Sequence, residues 1–321
     1  MRVRATKARI SAASFHIDRL KLRQRAAATW FRRSTLGSWK QARSKRPLIV
    51  LPTVLLSTLL GMGAGMPQSA DASPRTLLES LLGSEWASPP DDQEEKERAR
   101  VDADRPHLPE ASTTVGKGRF VLESGYTFSQ RGSTQAHSYP EAILRAGVFS
   151  DWFEVRIGQN FITQDGSVSD TYVGIKLALT EQFGYLPQVA IIPQMTIATE
   201  SHSEVDGRVL PGLNVDCSWE VIKNRFDLEL LIATNRVRED VRGTDLEIAT
   251  GLTAAVNPWR NLEIFAEWDA FYPVHGHNRQ ETVGGLVYFI TKDIAVDIRA
   301  GIGLNRQARD FLAGTGFVIR Y

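Results

Sequence analysis

From Gly118 to Tyr321 apolar and polar residues alternate with a period of two over stretches of about ten residues. Val215, Cys217, Trp219 and Val221 interleave with Asp216, Ser218 and Glu220. Leu262, Ile264, Ala266 and Trp268 interleave with Glu263, Glu267 and Asp269, and Ile294, Val296, Ile298 and Ile302 with Asp293, Asp297 and Arg299. A strand turns successive side chains to opposite faces, so each stretch has one apolar and one polar face. The pattern predicts about twelve strands, at 118–129, 140–149, 152–161, 170–180, 187–199, 209–222, 224–235, 244–256, 260–272, 280–290, 292–304 and 309–321. Such lengths exceed the five or six residues typical of soluble strands. They match the roughly 9–11 residues with which a tilted strand crosses a bilayer.

The connections alternate in length. Ser150-Asp151, Lys223-Asn224 and Pro258-Trp259 read as short turns. The stretches 130–139, 162–169, 200–208, 236–243, 273–279 and 305–308 are mostly longer and rich in Gly, Asp, Arg, Ser and His. Bacterial barrels put short turns on the periplasmic side and longer loops outside. The prediction is an all-β, antiparallel, up-and-down transmembrane barrel of about twelve strands, behind a signal peptide and a flexible periplasmic tether. Twelve long strands enclose too much width for one apolar set to fill. The apolar face is therefore expected toward lipid and the charged face toward the lumen. Closure leaves no backbone edge unsatisfied in hydrocarbon.

The expected lumen lining is Glu123, Arg145, Glu154, Arg156, Lys176, Asp216, Glu220, Arg225, Asp227, Glu229, Glu247, Glu263, Glu267, Asp269, Asp297 and Arg299. These charges read either as a network that holds the barrel round or as a field that orients polar permeants. Acids outnumber bases among them, which predicts mild cation preference for a conducting pore. Aromatic residues near strand ends, among them Tyr126, Phe149, Trp152, Trp219, Trp259, Tyr288 and Tyr321, fit interfacial girdles.

Charge is segregated along the chain. Residues 1–46 carry 14 Lys and Arg against one acid, Asp18. Residues 47–66 are apolar, and Ala70-Asp71-Ala72 has the form of a signal-peptidase site. Cleavage there leaves 24 basic residues against 35 acids, a formal −11. That balance argues against nucleic-acid binding, which relies on Lys and Arg at phosphates. The domains are then a basic leader and signal peptide at 1–72, a charged tether at 73–112 and the barrel at 113–321. An uncleaved segment would instead anchor a periplasmic β-protein to the inner membrane. Cys217 is the only cysteine, so no internal disulfide or cysteine-based zinc cluster is expected. No nucleophile elbow, P-loop or HExxH motif occurs, and His275-Gly276-His277 reads as a solvated loop. No enzyme activity, cofactor or metal is expected.

Two stretches carry a family resemblance. The end of the chain, TGFVIRY, resembles the signal read by the outer-membrane barrel-assembly machinery, with Phe317, Ile319 and Tyr321 as its apolar positions. Asp104-Arg105-Pro106, followed by Thr114-Val115-Gly116, Gly118, Glu123, Gly125 and Tyr126, resembles the opening of the phenol-degradation meta-pathway proteins, a family of transporter-like outer-membrane barrels. Arg145, Gly147, Trp152, Glu154, Arg156 and Gly158 are similar to that family's next hairpin. The resemblance implies a cell outer-membrane location and passive or facilitated passage of small organic, including aromatic, molecules. The alternative of another class is a structural or interaction barrel with a blocked lumen, in which the tether at 73–112 plugs the lumen or binds a periplasmic partner. Expected partners are the lipid bilayer, the assembly machinery and a small organic permeant.

Overall fold

The computed structural model describes residues 76–82, 100–162, 167–168, 170–197, 199, 209–239 and 243–321. The basic leader, the signal segment and the cleavage motif lie outside the described residues, as do 83–99 of the expected tether. Within that tether one short helix is described, α1 (Leu77–Leu82). Thr76 caps it, its hydroxyl accepting from the Glu79 N–H at 3.1 Å.

The rest is β-structure. The strands are β1 (Phe120–Arg131), β2 (Thr134–Ser138), β3 (Ala142–Gly147), β4 (Phe153–Gln159), β5 (Phe161–Ile162), β6 (Ser167–Val168), β7 (Thr171–Thr180) and β8 (Gln188–Ile197). They continue as β9 (Leu210–Ile222), β10 (Phe226–Glu239), β11 (Gly243–Trp259), β12 (Leu262–Pro273), β13 (Arg279–Phe289), β14 (Ile294–Gly303) and β15 (Phe311–Arg320). Twelve of them, β1, β3, β4 and β7 through β15, form a wall in which each pairs antiparallel with the next. The wall closes where β1 pairs with β15, from Val121 opposite Arg320 to Gln130 opposite Phe311. Phe120 and Tyr321 exchange backbone hydrogen bonds of 2.8 Å at the end of that seam. The last strand thus meets the first, as the alternation to the terminal Tyr321 predicts.

The twelve predicted strands correspond to these twelve, and the departures lie at the loop end. The predicted loop 130–139 is a tight hairpin: β1 runs to Arg131, Gly132 turns at φ 59°, and β2 returns along β1. The reason is continued alternation with cross-strand aromatic pairing. His137 on β2 lies 5.2 Å from the Phe128 ring and accepts or donates at 2.7 Å with the Tyr126 hydroxyl. β5 and β6 add a two-residue hairpin within 162–169. β10 and β11 extend their ladder to Glu239 opposite Gly243, shortening the predicted loop 236–243. At the opposite end Lys223–Arg225 turns the chain with Asn224 at φ 57°, a conformation that asparagine tolerates.

The outside of the wall is apolar. Ile175, Ile232, Leu252, Ile264, Ile298 and Ile319 face outward and are 37–56% exposed. Buried charges face inward on the same strands. A soluble protein does not present so large an apolar surface to water, so this band faces hydrocarbon. Phe149, Trp152 and Phe153 cluster at the β3–β4 turn, and Phe183, Tyr185 and Trp259 are exposed at neighbouring turns of the same end. That ring of aromatics suits a membrane interface.

Candidate functional site: the occupied lumen

The interior is filled by the chain itself. The segment from Arg100 to Lys117, just before β1, loops in from the end where Tyr321 lies. At its start the Val101 N–H donates to the Lys292 carbonyl at 2.7 Å. At its finish the Lys117 N–H donates to Asp151 at 2.7 Å. Between these points it reaches eleven of the twelve wall strands through contacts at Glu123, Arg145, Arg156, Lys176, Asp216, Glu229, Gly251, Glu267, Phe289, Arg299 and Thr315. Only a segment inside the barrel can do this. The sequence assigned 100–112 to the tether; the structure places these residues in the lumen. The reason is charge and pattern. The mixed-sign run continues as Asp102, Asp104, Arg105, His107 and Glu110, each of which finds an opposite charge or a hydrogen-bonding group inside.

One face of the lumen is cationic. Arg145 on β3 donates to Glu123 at 2.9 Å and to Glu154 at 2.9 and 3.2 Å. Arg156 on β4 and Lys176 on β7 complete the group, and all three cations are at most 1% exposed. The Asp104 carboxylate sits between them. Lys176 Nζ is 2.9 Å away, Arg145 Nε is 3.3 Å away, and Arg156 donates to the same group. Burial works against the Asp104 charge, but these three cations outweigh it and hold its carboxyl well below the usual carboxylate range. Arg156 also pairs with Glu110. Glu123 accepts from the N–H groups of Asp104 and Arg105 at 3.1 and 2.9 Å, and Glu154 from the Val115 N–H at 2.9 Å.

The opposite face is acidic. Asp216 accepts from the Glu110 N–H at 3.0 Å and Glu267 from the Leu108 N–H at 2.9 Å. His107 Nδ1 lies 3.0 Å from Glu229, its Nε2 3.7 Å from Glu263, and its ring meets Phe265 edge-on at 4.3 Å. Burial alone would lower the imidazole pKa, but Glu229, then Glu263 and Glu267, raise it to about 9. Asp227 accepts from Asn257 at 2.9 Å, and Glu247 from Arg279 at 2.7 Å. Asp269 is buried, and among the described residues its Oδ1 has no hydrogen-bond partner.

The seam between β14, β15 and β1 receives Arg105. Its guanidinium pairs with Glu141 at 2.7 Å and lies 3.5 Å from Asp297. Two facing glycines make room for it. A Cβ on Gly125 or Gly316 would fall 2.3–2.4 Å from its nitrogens. Arg299 donates to the Pro106 carbonyl at 2.6 Å and to Thr127 at 2.9 Å. Each residue of the Asp104-Arg105-Pro106 element thus has its own receptor on the wall. Near the Tyr321 end, Val101 and Val115 of the segment bury against Val121, Val287, Phe289, Ala295 and Val318. Each buried valine contributes about 1.5 kcal/mol or more.

Two expected lining residues lie elsewhere. Glu220 and Arg225 are exposed at the β9–β10 turn, where Glu220 accepts from the Asn224 N–H at 2.6 Å and so stabilises the turn. Position near a strand end explains both. His275 pairs with Asp245 at 3.0 Å in the β12–β13 loop. Sequence reasoning missed Asp102, Asp104, Arg105, His107, Glu110 and Glu141 as interior groups. The Asp104-Arg105-Pro106 element was visible only as a resemblance. The surplus of acids on the strands was the available sign that further cations had to enter from outside the barrel.

The fold and its interior define a class: a closed antiparallel barrel, apolar outside, with a charged lumen occupied by its own N-terminal approach. Residues 103–321 match the family described as "Putative MetA-pathway of phenol degradation", and the chain belongs to that family. No curated protein matches the chain. Among solved structures it is similar to the NanC porin at 13% identity, covering 62% of this chain and 98% of that one with a TM-score of 0.47. It is also similar to the COG4313 outer membrane channel from Pseudomonas putida F1, at 11% identity, 65% and 98% coverage and a TM-score of 0.46. A third is the KdgM porin in complex with disordered oligogalacturonate, at 9% identity, 62% and 98% coverage and a TM-score of 0.44.

Proposed function

We propose that the protein is an outer-membrane channel for small organic molecules whose lumen is obstructed, in this conformation, by residues 100–117. One observation carries the reading: a single segment contacts eleven of the twelve wall strands from within. Polar groups line the lumen, whereas a purely structural barrel is more simply stabilised by an apolar core. Conduction requires the segment to shift, because it fills the width between the cationic and acidic faces. Members of the family and the apolar outer band support placement in the outer membrane of a Gram-negative-type envelope. A barrel with a permanently blocked lumen is the second reading, favoured by the apolar packing of Val101 and Val115.

Swelling of liposomes carrying the full chain, or a variant lacking residues 100–111, separates these readings. Small aromatic and aliphatic acids and neutral solutes are the osmolytes. Faster uptake on deletion, with slower uptake by the full chain, supports a channel with a movable plug. Uptake that appears only on deletion supports the blocked barrel. N-terminal sequencing of the membrane-fraction protein tests export, with a start near Ser73 expected.

A further inference from the structure

The cationic face carries one positive charge more than its strands neutralise. Three buried cations, Arg145, Arg156 and Lys176, share two carboxylates from the wall, Glu123 and Glu154. Negative charge is brought by two carboxylates of the inserted segment and not of the wall: Asp104, which sits between all three cations, and Glu110, which pairs with Arg156 alone. Asp104 is received as a ligand is: Lys176 Nζ and the Ala111 N–H bind its Oδ1 at 2.9 and 3.1 Å, while Arg156 and Arg145 hold Oδ2. We propose that Arg145, Arg156 and Lys176 form a subsite for the carboxylate of a small organic acid, that Asp104 fills it as an internal ligand, and that an arriving carboxylate displaces Asp104 and loosens the segment.

The surroundings fit such an approach. Tyr172 lies four residues from Lys176 on the same face of β7, toward the loop end, with its ring 5.8 Å from the Arg156 guanidinium. Among the described residues, the Tyr172 hydroxyl and Arg156 Nε have no hydrogen-bond partner. The neighbouring strands carry amides beside them. Gln194 bridges Asn214 and Asn235 at 3.0 and 2.8 Å. A ring beside Tyr172 with its carboxylate on Arg156 and Lys176 fits these groups.

The inference rests on the channel reading, and the test keeps the two apart. In full-length Asp104→Ala the excised carboxylate leaves space beside three cations. The temperature at which the heat-modifiable gel form is lost should fall by on the order of 10 °C in chloride. Formate or acetate at equal ionic strength should restore most of that shift. Equal melting in formate, acetate and chloride overturns the proposal. If that variant does not fold, the wild-type segment is read instead, with a single cysteine at Ala103→Cys in a Cys217→Ser background. Benzoate should speed maleimide labelling several-fold while benzamide, the uncharged analogue, does not. Equal labelling with both overturns the proposal. Rescue or labelling by carboxylates without uptake in liposomes would retain the subsite and remove the channel.

Discussion

The two faces of the lumen hold their charge in different ways. On β1, β3 and β4 part of the wall satisfies itself, since Arg145 bonds Glu123 and Glu154 strand to strand, while Arg156 and Lys176 donate their hydrogen bonds to the segment. On β9 to β12 the wall offers Asp216, Asp227, Glu229, Glu263, Glu267 and Asp269, and much of its compensation comes from the segment, through His107, Arg100 and backbone N–H groups. The first face is built around a network that belongs to the barrel, with places for Asp104 and Glu110 of the segment. The second is a receptor for the segment. Their opposite signs fix the segment's orientation, with Asp104 toward the cations and His107 toward the acids. Reversing it would bring like charges together.

Replacing the centre of the barrel's own network should have the largest effect. Arg145→Met leaves Glu123 and Glu154 buried without their main partner, a loss of about 3–5 kcal/mol. Thermal unfolding followed by gel mobility or circular dichroism checks it. Next is pH. The folded His107 pKa, about 9, lies above the ordinary histidine value, so its stabilisation is fully present below about pH 6.5 and is lost as pH rises through about 9. Protease access to the segment should increase between pH 7 and 10, and His107→Gln should flatten that profile. Asp104 has the opposite sign. Its carboxyl is depressed, so its contribution persists above the usual carboxylate range and fails only in strong acid.

Glu229→Gln should cost less, on the order of 1 kcal/mol, because an amide still accepts from His107 and the barrel's own ladders are untouched. Equal destabilisation by Glu229→Gln and Arg145→Met would erase the distinction between the faces. The smallest effect is expected at the rim. Asp293→Asn breaks the 2.7 Å pair with Arg320 next to the closing seam, worth less than about 1 kcal/mol at a solvated position. A loss as large as that of Arg145→Met there would move the critical charges from the lumen to the seam.

The barrel was legible because period two runs through most wall strands, blurred in β13 by Gly284-Gly285, and short turns alternate with long loops. Val215, Cys217 and Trp219 against Asp216 and Ser218 already assign both faces of β9. Pairing of the final strand with the first followed from closure alone. The inward positions of Glu123, Arg145, Glu154, Arg156, Lys176 and Asp216 were legible for the same reason. A tether plugging the lumen stood only as an alternative, and which of its residues enter was not legible. Residues 100–117 have no strand period, and their mixed charges look like those of a solvated linker. Their destination depends on partners more than a hundred residues away, such as Glu229 and Glu267 for His107 and Leu108. Phe265, an aromatic on the inward face of β12, was a local exception to the alternation whose reason is the edge contact with His107.

On the proposed function, the segment in the lumen controls passage. A Cβ on Gly251 of β11 would fall 3.0 Å from the Pro109 ring, so the two positions lie side by side. In a Cys217→Ser background, Pro109→Cys with Gly251→Cys should cross-link on mild oxidation in native outer membranes. The oxidised protein should conduct less in planar bilayers than the same protein after reduction. Absence of a cross-link, or conductance unchanged by reduction of a fully cross-linked sample, would contradict the account.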